Sequence, residues 1–150
     1  MLKLIISGGQ SGADLGGLLA AEVLGIKTGG EAPLGFRTER GRQMILQSRY
    51  GLHEGQSHGY AFRTMNNVIN SDATLIVATD FNSKGTVQTY NYCSQFNKPV
   101  FLLPAYALDF RGPLREFVQS IEVLNVAGNR ESVSPGITIA TRDLIIRALR

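Results

Sequence analysis

Residues 2–6 form an apolar run that breaks into Ser7-Gly8-Gly9-Gln10-Ser11-Gly12 and resumes at helical spacing, an arrangement open to few folds. A strand entering a glycine turn beneath a helix N-terminus points backbone N–H groups at one place, where the helix dipole favours negative charge. Two readings stay open: a phosphate cradle, or a tight turn that needs glycine for its backbone angles alone. No Gly-Lys-Ser/Thr ending follows, and no ribose-binding acid completes a dinucleotide fingerprint, so the common nucleotide-binding motifs are disfavoured.

The same succession recurs twice. Residues 73–78 are a continuous apolar run suited to a strand buried on both faces, and they open into Thr79-Asp80-Phe81-Asn82-Ser83-Lys84-Gly85-Thr86. Residues 122–126 lead into Ala127-Gly128-Asn129-Arg130-Glu131-Ser132. Helical periods lie between: Leu15, Leu18, Leu19 and Val23, ending at Gly25; residues 58–70, with Phe62, Met65, Val68 and Ile69 inward and Arg63 on the other side; residues 87–96; and residues 111–120. A last helix has Ser134 as its cap, Pro135 in its first position, and Ile137, Ala140, Leu144, Ile145 and Ala148 as its core stripe. With a further strand at 26–28, another buried strand at 99–103 and an extended piece at 50–52, the chain predicts an α/β fold: a single Rossmann-like doubly wound domain over residues 1–150 with a mainly parallel sheet. Right-handed crossovers then bring the three loops to the carboxyl edge, where ligands bind.

Composition narrows the partners. Cys93 is the only cysteine of the 150 residues, so neither a disulfide nor a thiolate metal site forms within one chain, and a cytoplasmic setting is expected. No stretch has the length of a membrane span, and the first residues run into the glycine loop rather than toward a signal-peptidase site. The net charge of +3 suits a small anion but comes without the basic cluster of a nucleic-acid groove, so neither membrane nor nucleic acid is an expected partner. His53 and His58 match no zinc spacing, and no metal site is expected.

The ligand-binding candidates follow from the loops. Gly8, Gly9, Gln10, Ser11 and Gly12 form the first cradle. Gly29 and Gly30 close the second strand and begin an aperiodic stretch over residues 29–48, long enough to serve as a lid or binding wall. Within it Phe36 offers a stacking surface and Arg37 a charge, while Arg40 and Arg42 read as solvated. Lys84 can reach a phosphate as a point charge beside Gly85, and Thr86 either caps its helix or bonds a ligand oxygen. Arg63 and Arg130 add charge. Asp14 is either a capping-box partner of Ser11 or a ligand group, and Asp14 and Glu131 are the candidate catalytic acids. Ser7, Ser11 and Ser83 have no neighbouring base, so no serine triad is indicated.

These residues carry a family pattern. Ser7-Gly8-Gly9-Gln10-Ser11-Gly12-Ala13-Asp14, Thr28-Gly29-Gly30, Ala32-Pro33, Gly35-Phe36-Arg37-Thr38-Glu39, Tyr50-Gly51-Leu52, Arg63-Thr64, Asn67-Val68, Ser71-Asp72, Gly85-Thr86, Leu124-Asn125-Val126-Ala127-Gly128, Arg130-Glu131-Ser132 and Pro135-Gly136-Ile137 stand in the family's order. The chain thereby resembles the molybdenum carrier family, a branch of the Rossmann-like superfamily that also holds the lysine-decarboxylase-like phosphoribohydrolases and the DNA-processing protein Smf. The resemblance implies a carrier for an anionic, phosphate-bearing ligand, molybdenum cofactor or a nucleotide-like molecule. It leaves open a nucleotide N-glycosidic hydrolase and a nucleotide-signal sensor. Relatives pair through helices beside the site, and Met65, Val68, Phe96 and Leu144 supply apolar helix positions for a homo-oligomer. Leu15, Leu19 and Ala73 depart from the family pattern, and Gln88 stands after the second loop where the hydrolases carry a catalytic Glu.

Overall fold

The alternating apolar runs and helical periods become, in the computed structural model of residues 1–150, a central sheet with helices on both faces. In chain order the elements are β1 (Leu4–Ile6), α1 (Ala13–Leu24), β2 (Lys27–Gly29), β3 (Glu31–Ala32), β4 (Arg37–Thr38), β5 (Gly41–Arg42), α2 (Ile45–Ser48), β6 (His53–Glu54), α3 (Tyr60–Ile69), β7 (Ala73–Ala78), α4 (Lys84–Gln95), β8 (Val100–Pro104), α5 (Arg111–Gln119), β9 (Val123–Gly128) and α6 (Ile137–Leu149). The five-stranded sheet runs β2-β1-β9-β7-β8 with every pairing parallel. β2 lies outward of β1 and β8 outward of β7, while β9, the last strand in sequence, inserts between β1 and β7. The strand order therefore reverses at β9, and the crevice above its carboxyl end is where such sheets bind ligands.

Side-chain alternation divides the core. Ile5, Leu75, Val77, Leu103, Leu124 and Val126 pack against α1, α5 and α6 in one apolar cluster with Leu114, Ile137, Leu144 and Ile145. The opposite face, under α3 and α4, carries Thr74 and Asn125, whose side chains are buried and bonded to each other at 3.2 Å. Only the first face is uniformly oily.

Several elements differ from their sequence reading for steric reasons. Val23 is half exposed, and α1 instead buries Gly16, Gly17, Ala20 and Ala21, because the helix lies so close to β9 that a Cβ on Gly17 would sit 2.6 Å from that of Val126. Phe62 faces solvent and the inner side of α3 is polar, with Thr64 and Asn67 buried beside Val68. β8 is an edge strand with Leu102 exposed, not a strand buried on both faces. α6 starts at Ile137 behind Gly136, two residues past Pro135. Val68 and Leu144 are core residues rather than spare apolar surface, and the exposed apolar side chains include Val87, Tyr90 and Leu102.

Residues 29–48 are ordered. β3 pairs with β6, β4 with β5 as a hairpin, and Phe36, Leu46, Tyr50 and Leu52 join Leu18 and Ala32 in a second small core against α1. No helix is long and apolar enough to cross a membrane.

At the end of β9 the backbone of Gly128 has φ 149°, and a Cβ there would lie 1.8 Å from the Val77 carbonyl oxygen. Gly128→Ala is therefore expected to cost at least about 2 kcal/mol of stability, read as a lowered midpoint in urea unfolding.

Candidate functional site

Above β9 the carboxyl edge opens into a cleft of about 280 Å³. Its floor is Gln10, Asp14, Ala127 and Gly128; α3 contributes Tyr60, Arg63 and Thr64 to one wall; Ser83, Lys84, Gly85, Thr86, Gln88 and Thr89 from the start of α4 form another; Arg130, Ser132 and Val133 complete the rim. Three cationic side chains, Arg63, Lys84 and Arg130, thus face the single carboxylate of Asp14.

The two glycine-led helix starts behave differently. In the first loop every N–H from Gly9 to Ala13 is taken by the protein: Gly9 donates to Ser7 Oγ at 3.2 Å, Gln10 to Asp14 Oδ2 at 3.2 Å, Ser11 to Gln10 Oε1 at 3.0 Å, Gly12 to Thr138 Oγ1 at 2.9 Å and Ala13 to the Asn129 carbonyl at 3.0 Å. The N-terminus of α1 is built into the fold. At α4, by contrast, the N–H groups of Lys84, Gly85 and Thr86 have no protein acceptor, and a Cβ on Gly85 would meet open space. That helix end is the one turned to the cleft with its donors free.

Asn129, which sequence reasoning passed over, fixes that end. Its Oδ1 accepts from the N–H of Thr79 at 2.9 Å and of Asp80 at 3.1 Å, while Nδ2 donates to the Asp80 carbonyl at 2.8 Å, Ser83 Oγ at 2.9 Å and Thr86 Oγ1 at 3.1 Å. Thr86 is consequently a buried acceptor for Asn129 and Ser83 rather than a helix cap. The sequence signal was an amide directly after the strand-ending Gly128, a position where only a short polar side chain can reach the neighbouring loop.

Arg63 proves to face inward. Its Nη1 lies 3.1 Å from Asp14 Oδ2, and Gly8 leaves the room it needs, since a Cβ there would overlap the guanidinium. Its Nε is buried without a partner, as is Gln10 Nε2. The Gln10 orientation is set because its Oε1 already accepts from Ser11 and from Glu39 N–H at 2.9 Å. Arg63 and Arg130 both stack on Tyr60, with Cζ 5.5 and 5.4 Å from the ring centroid. Burial pushes the Asp14 carboxyl above its ordinary value, with Arg63 and the Gln10 N–H holding it partly back. The second oxygen, Oδ1, accepts from no protein group. Asp14 is neither a capping-box partner of Ser11 nor remote from the cleft; it is the acid on its floor.

Other sequence candidates lie elsewhere. Gly30 packs on the Ser7 carbonyl and Gly29 pairs in the sheet. Phe36 is buried in the second core and covers nothing in the cleft, while Arg37 is exposed on the hairpin. Glu131 accepts from Gly136 N–H, from Thr138 N–H at 3.0 Å and from Thr138 Oγ1 at 2.8 Å, so it organises the start of α6 and lies outside the cleft lining; the Gly136 bond first, then Thr138, keeps its carboxyl below the ordinary value. Ser11 Oγ donates to Glu39, which also accepts from Ser132 and so straps the hairpin to the first and third loops. Burial opposes ionisation of Glu39, but these donors outweigh it and lower its pKa. No group of three or more His, Cys, Asp or Glu residues could hold a metal ion.

A family model described as the circularly permutated YpsA SLOG family matches residues 5–149. The chain belongs to that family. Among solved structures, one named "Putative molybdenum carrier protein", from Syntrophus aciditrophicus SB, is 33% identical with a TM-score of 0.89, covering 99% of this chain and 96% of that one. No curated protein matches. The family resemblance and the Rossmann-like fold read from the sequence both hold for this SLOG protein.

Two expectations follow. A raised folded pKa means the folded state holds the Asp14 proton more tightly, so this group favours folding below its unfolded value of about 3.8 and loses that contribution as pH rises through the folded pKa. Asp14→Asn lacks the loss: denaturant unfolding at pH 4 and pH 7 is expected to show the variant gaining stability relative to the parent at the higher pH. For Gly12, with φ 93° and a would-be Cβ 2.2 Å from the Asn129 carbonyl, Gly12→Asp is expected to unfold the third loop and lower the melting temperature rather than remove ligand from an intact domain.

Proposed function

We propose that this SLOG protein is a binding or carrier protein for a small anionic, phosphate-bearing ligand, with molybdenum cofactor or a nucleotide-like molecule as its cargo. The observation that carries the reading is the open N-terminus of α4: three N–H donors without acceptors, Lys84 beside them, and two arginines across the cleft. Donors already in place and convergent on one point lose little on binding an anion, and each charge-assisted bond contributes about 1.5–3 kcal/mol. The related protein's name supports a molybdenum-related ligand. The residues present fit the phosphate and polar edge of such a molecule: α4 takes the phosphate, and Asp14 Oδ1 is free to accept from a ring or ribose group. No thiol lines the cleft, Cys93 being buried on α4, so the protein grips the organic part and not the metal.

One observation favours a second reading, a nucleotide N-glycosidic hydrolase. Asp14 presents an unpartnered oxygen to the cleft, where it can orient a water or a ribose hydroxyl. Gln88, which lines the same wall, is an amide and takes no proton. Release of ribose 5-phosphate from AMP by the purified protein distinguishes an enzyme from a carrier.

The binding site is tested at Lys84. Ser83 has φ −63° and ψ 147°, the conformation a residue before proline adopts, and Lys84 is the first residue of the helix. Lys84→Ala removes the charge, and Lys84→Pro removes the charge and one free N–H while keeping the helix. In calorimetric titrations with inorganic phosphate, AMP and a pterin phosphate, Ala is expected to weaken binding by about tenfold and Pro by a further several-fold. Equal affinities for parent and both variants would place the site elsewhere.

A further inference from the structure

We propose that the cleft selects ligands carrying two adjacent phosphates, one held by the N-terminus of α4 and the other by a separate anion station made of Arg63 and Arg130 over the Tyr60 ring. The inference rests on the phosphate-binding reading above and deepens it by naming the diphosphate class. The Arg130 side chain makes no hydrogen bond and no ion pair within the protein; its ordered contact is the stack on Tyr60, Cζ 5.4 Å from the centroid. Arg63 stacks on the same ring at 5.5 Å, spends Nη1 on Asp14, and leaves a buried Nε without an acceptor. Stacking holds a guanidinium plane without using its N–H edges, so both forks are fixed yet still able to donate in pairs. Asp14, the one carboxylate in the lining, bonds Arg63 alone, and Glu39 beyond it feels the Arg130 charge without bonding it, so the Arg130 side chain is left to a ligand on an element apart from α4.

Gln10 adds an independent sign. The residue is 5% exposed, lines the same floor, and its Nε2 has no acceptor even though its Oε1 is doubly used. A buried donor left orphaned at a cationic site is explained by an oxygen the ligand brings. The α4 donors, Arg63 and Arg130 line one cleft of about 280 Å³, a space on the scale of a pyrophosphate unit.

Calorimetric titration with inorganic phosphate and inorganic pyrophosphate, at one ionic strength, tests the claim. Pyrophosphate is expected to bind about 10- to 100-fold tighter than phosphate. Arg130→Gln, confirmed folded by its melting temperature, should lose most of that ratio by weakening pyrophosphate binding more than phosphate binding. Tyr60→Leu, which removes the platform but no charge, should lower the ratio in the same direction. Arg111→Gln, an exposed cation on α5 outside the cleft, should leave it unchanged. Equal affinity for the two probes, a ratio that survives Arg130→Gln, or a ratio that Arg111→Gln lowers as much, overturns the second station. Absence of binding by either probe, or phosphate binding indifferent to Lys84→Pro, overturns instead the α4 site on which the inference stands.

Discussion

The Asn129 carboxamide holds together what the sheet alone would leave as separate loops. It is 2% exposed, its oxygen receives two backbone N–H groups from the β7–α4 loop, and its nitrogen shares two protons among three acceptors. The backbone carbonyl of the same residue accepts from Ala13 at the start of α1. One residue at the end of the central strand therefore fixes the starts of two helices. Buried polar networks of this kind are unforgiving, since each partner lost leaves another donor or acceptor without water to replace it. The free N–H groups of α4 keep their direction because the turn before them cannot relax.

Charge in the cleft is arranged by close approach. Gly8 leaves the volume in which the Arg63 guanidinium lies, and that guanidinium compensates the one acid on the floor. The pair is nearly dry, with side-chain exposures of 11% and 6%. Burial still dominates at Asp14, because a single charged partner does not replace the lost hydration of both oxygens. The result is an electrostatic balance maintained by the fold, with Arg63 bonded to Asp14 and the Arg130 side chain left without an ion-pair partner.

The parallel sheet, its helices and the carboxyl-edge location were legible because hydrophobic period and loop chemistry are local signals: residues 73–78 became β7 as read. Less visible was which side of a helix would face inward. On α3 the polar residues turn inward, since the cleft and not the oily core lies beneath them, so a reading by hydrophobicity put Arg63 on the wrong side. On α1 the close sheet contact demanded glycine and alanine, and Val23 lost its place in the core. Phe36 was legible as an aromatic in a loop but not as the centre of a second core, because Leu46, Tyr50 and Leu52 reach it only after the chain has folded back on α1. Gln10, Arg63, Lys84, Gly85, Thr86 and Arg130, named from the sequence as ligand-binding candidates, all line the cleft; the placement of Tyr60 and Asn129 was not legible, since it depends on partners in distant segments.

Two glycine loops leading into helices looked equivalent in sequence, and the physical difference between them lies in what happens to be near each helix end. At α1 the acceptors are supplied from within: the hydroxyl of Thr138 and the carbonyl of Asn129 arrive from segments more than a hundred residues later. An N-terminus so occupied has no donor left for an anion, whatever its dipole. At α4 the neighbouring hydroxyls of Ser83 and Thr86 are engaged with each other and with Asn129, and Asp80 Oδ1 accepts from Asn82, which leaves the backbone donors over. The open helix N-terminus thus lies not at the loop that most resembles a phosphate cradle but at the loop that the rest of the fold has left unsatisfied. Hydrogen-bond accounting around a helix end, rather than its glycine content, decides whether it binds.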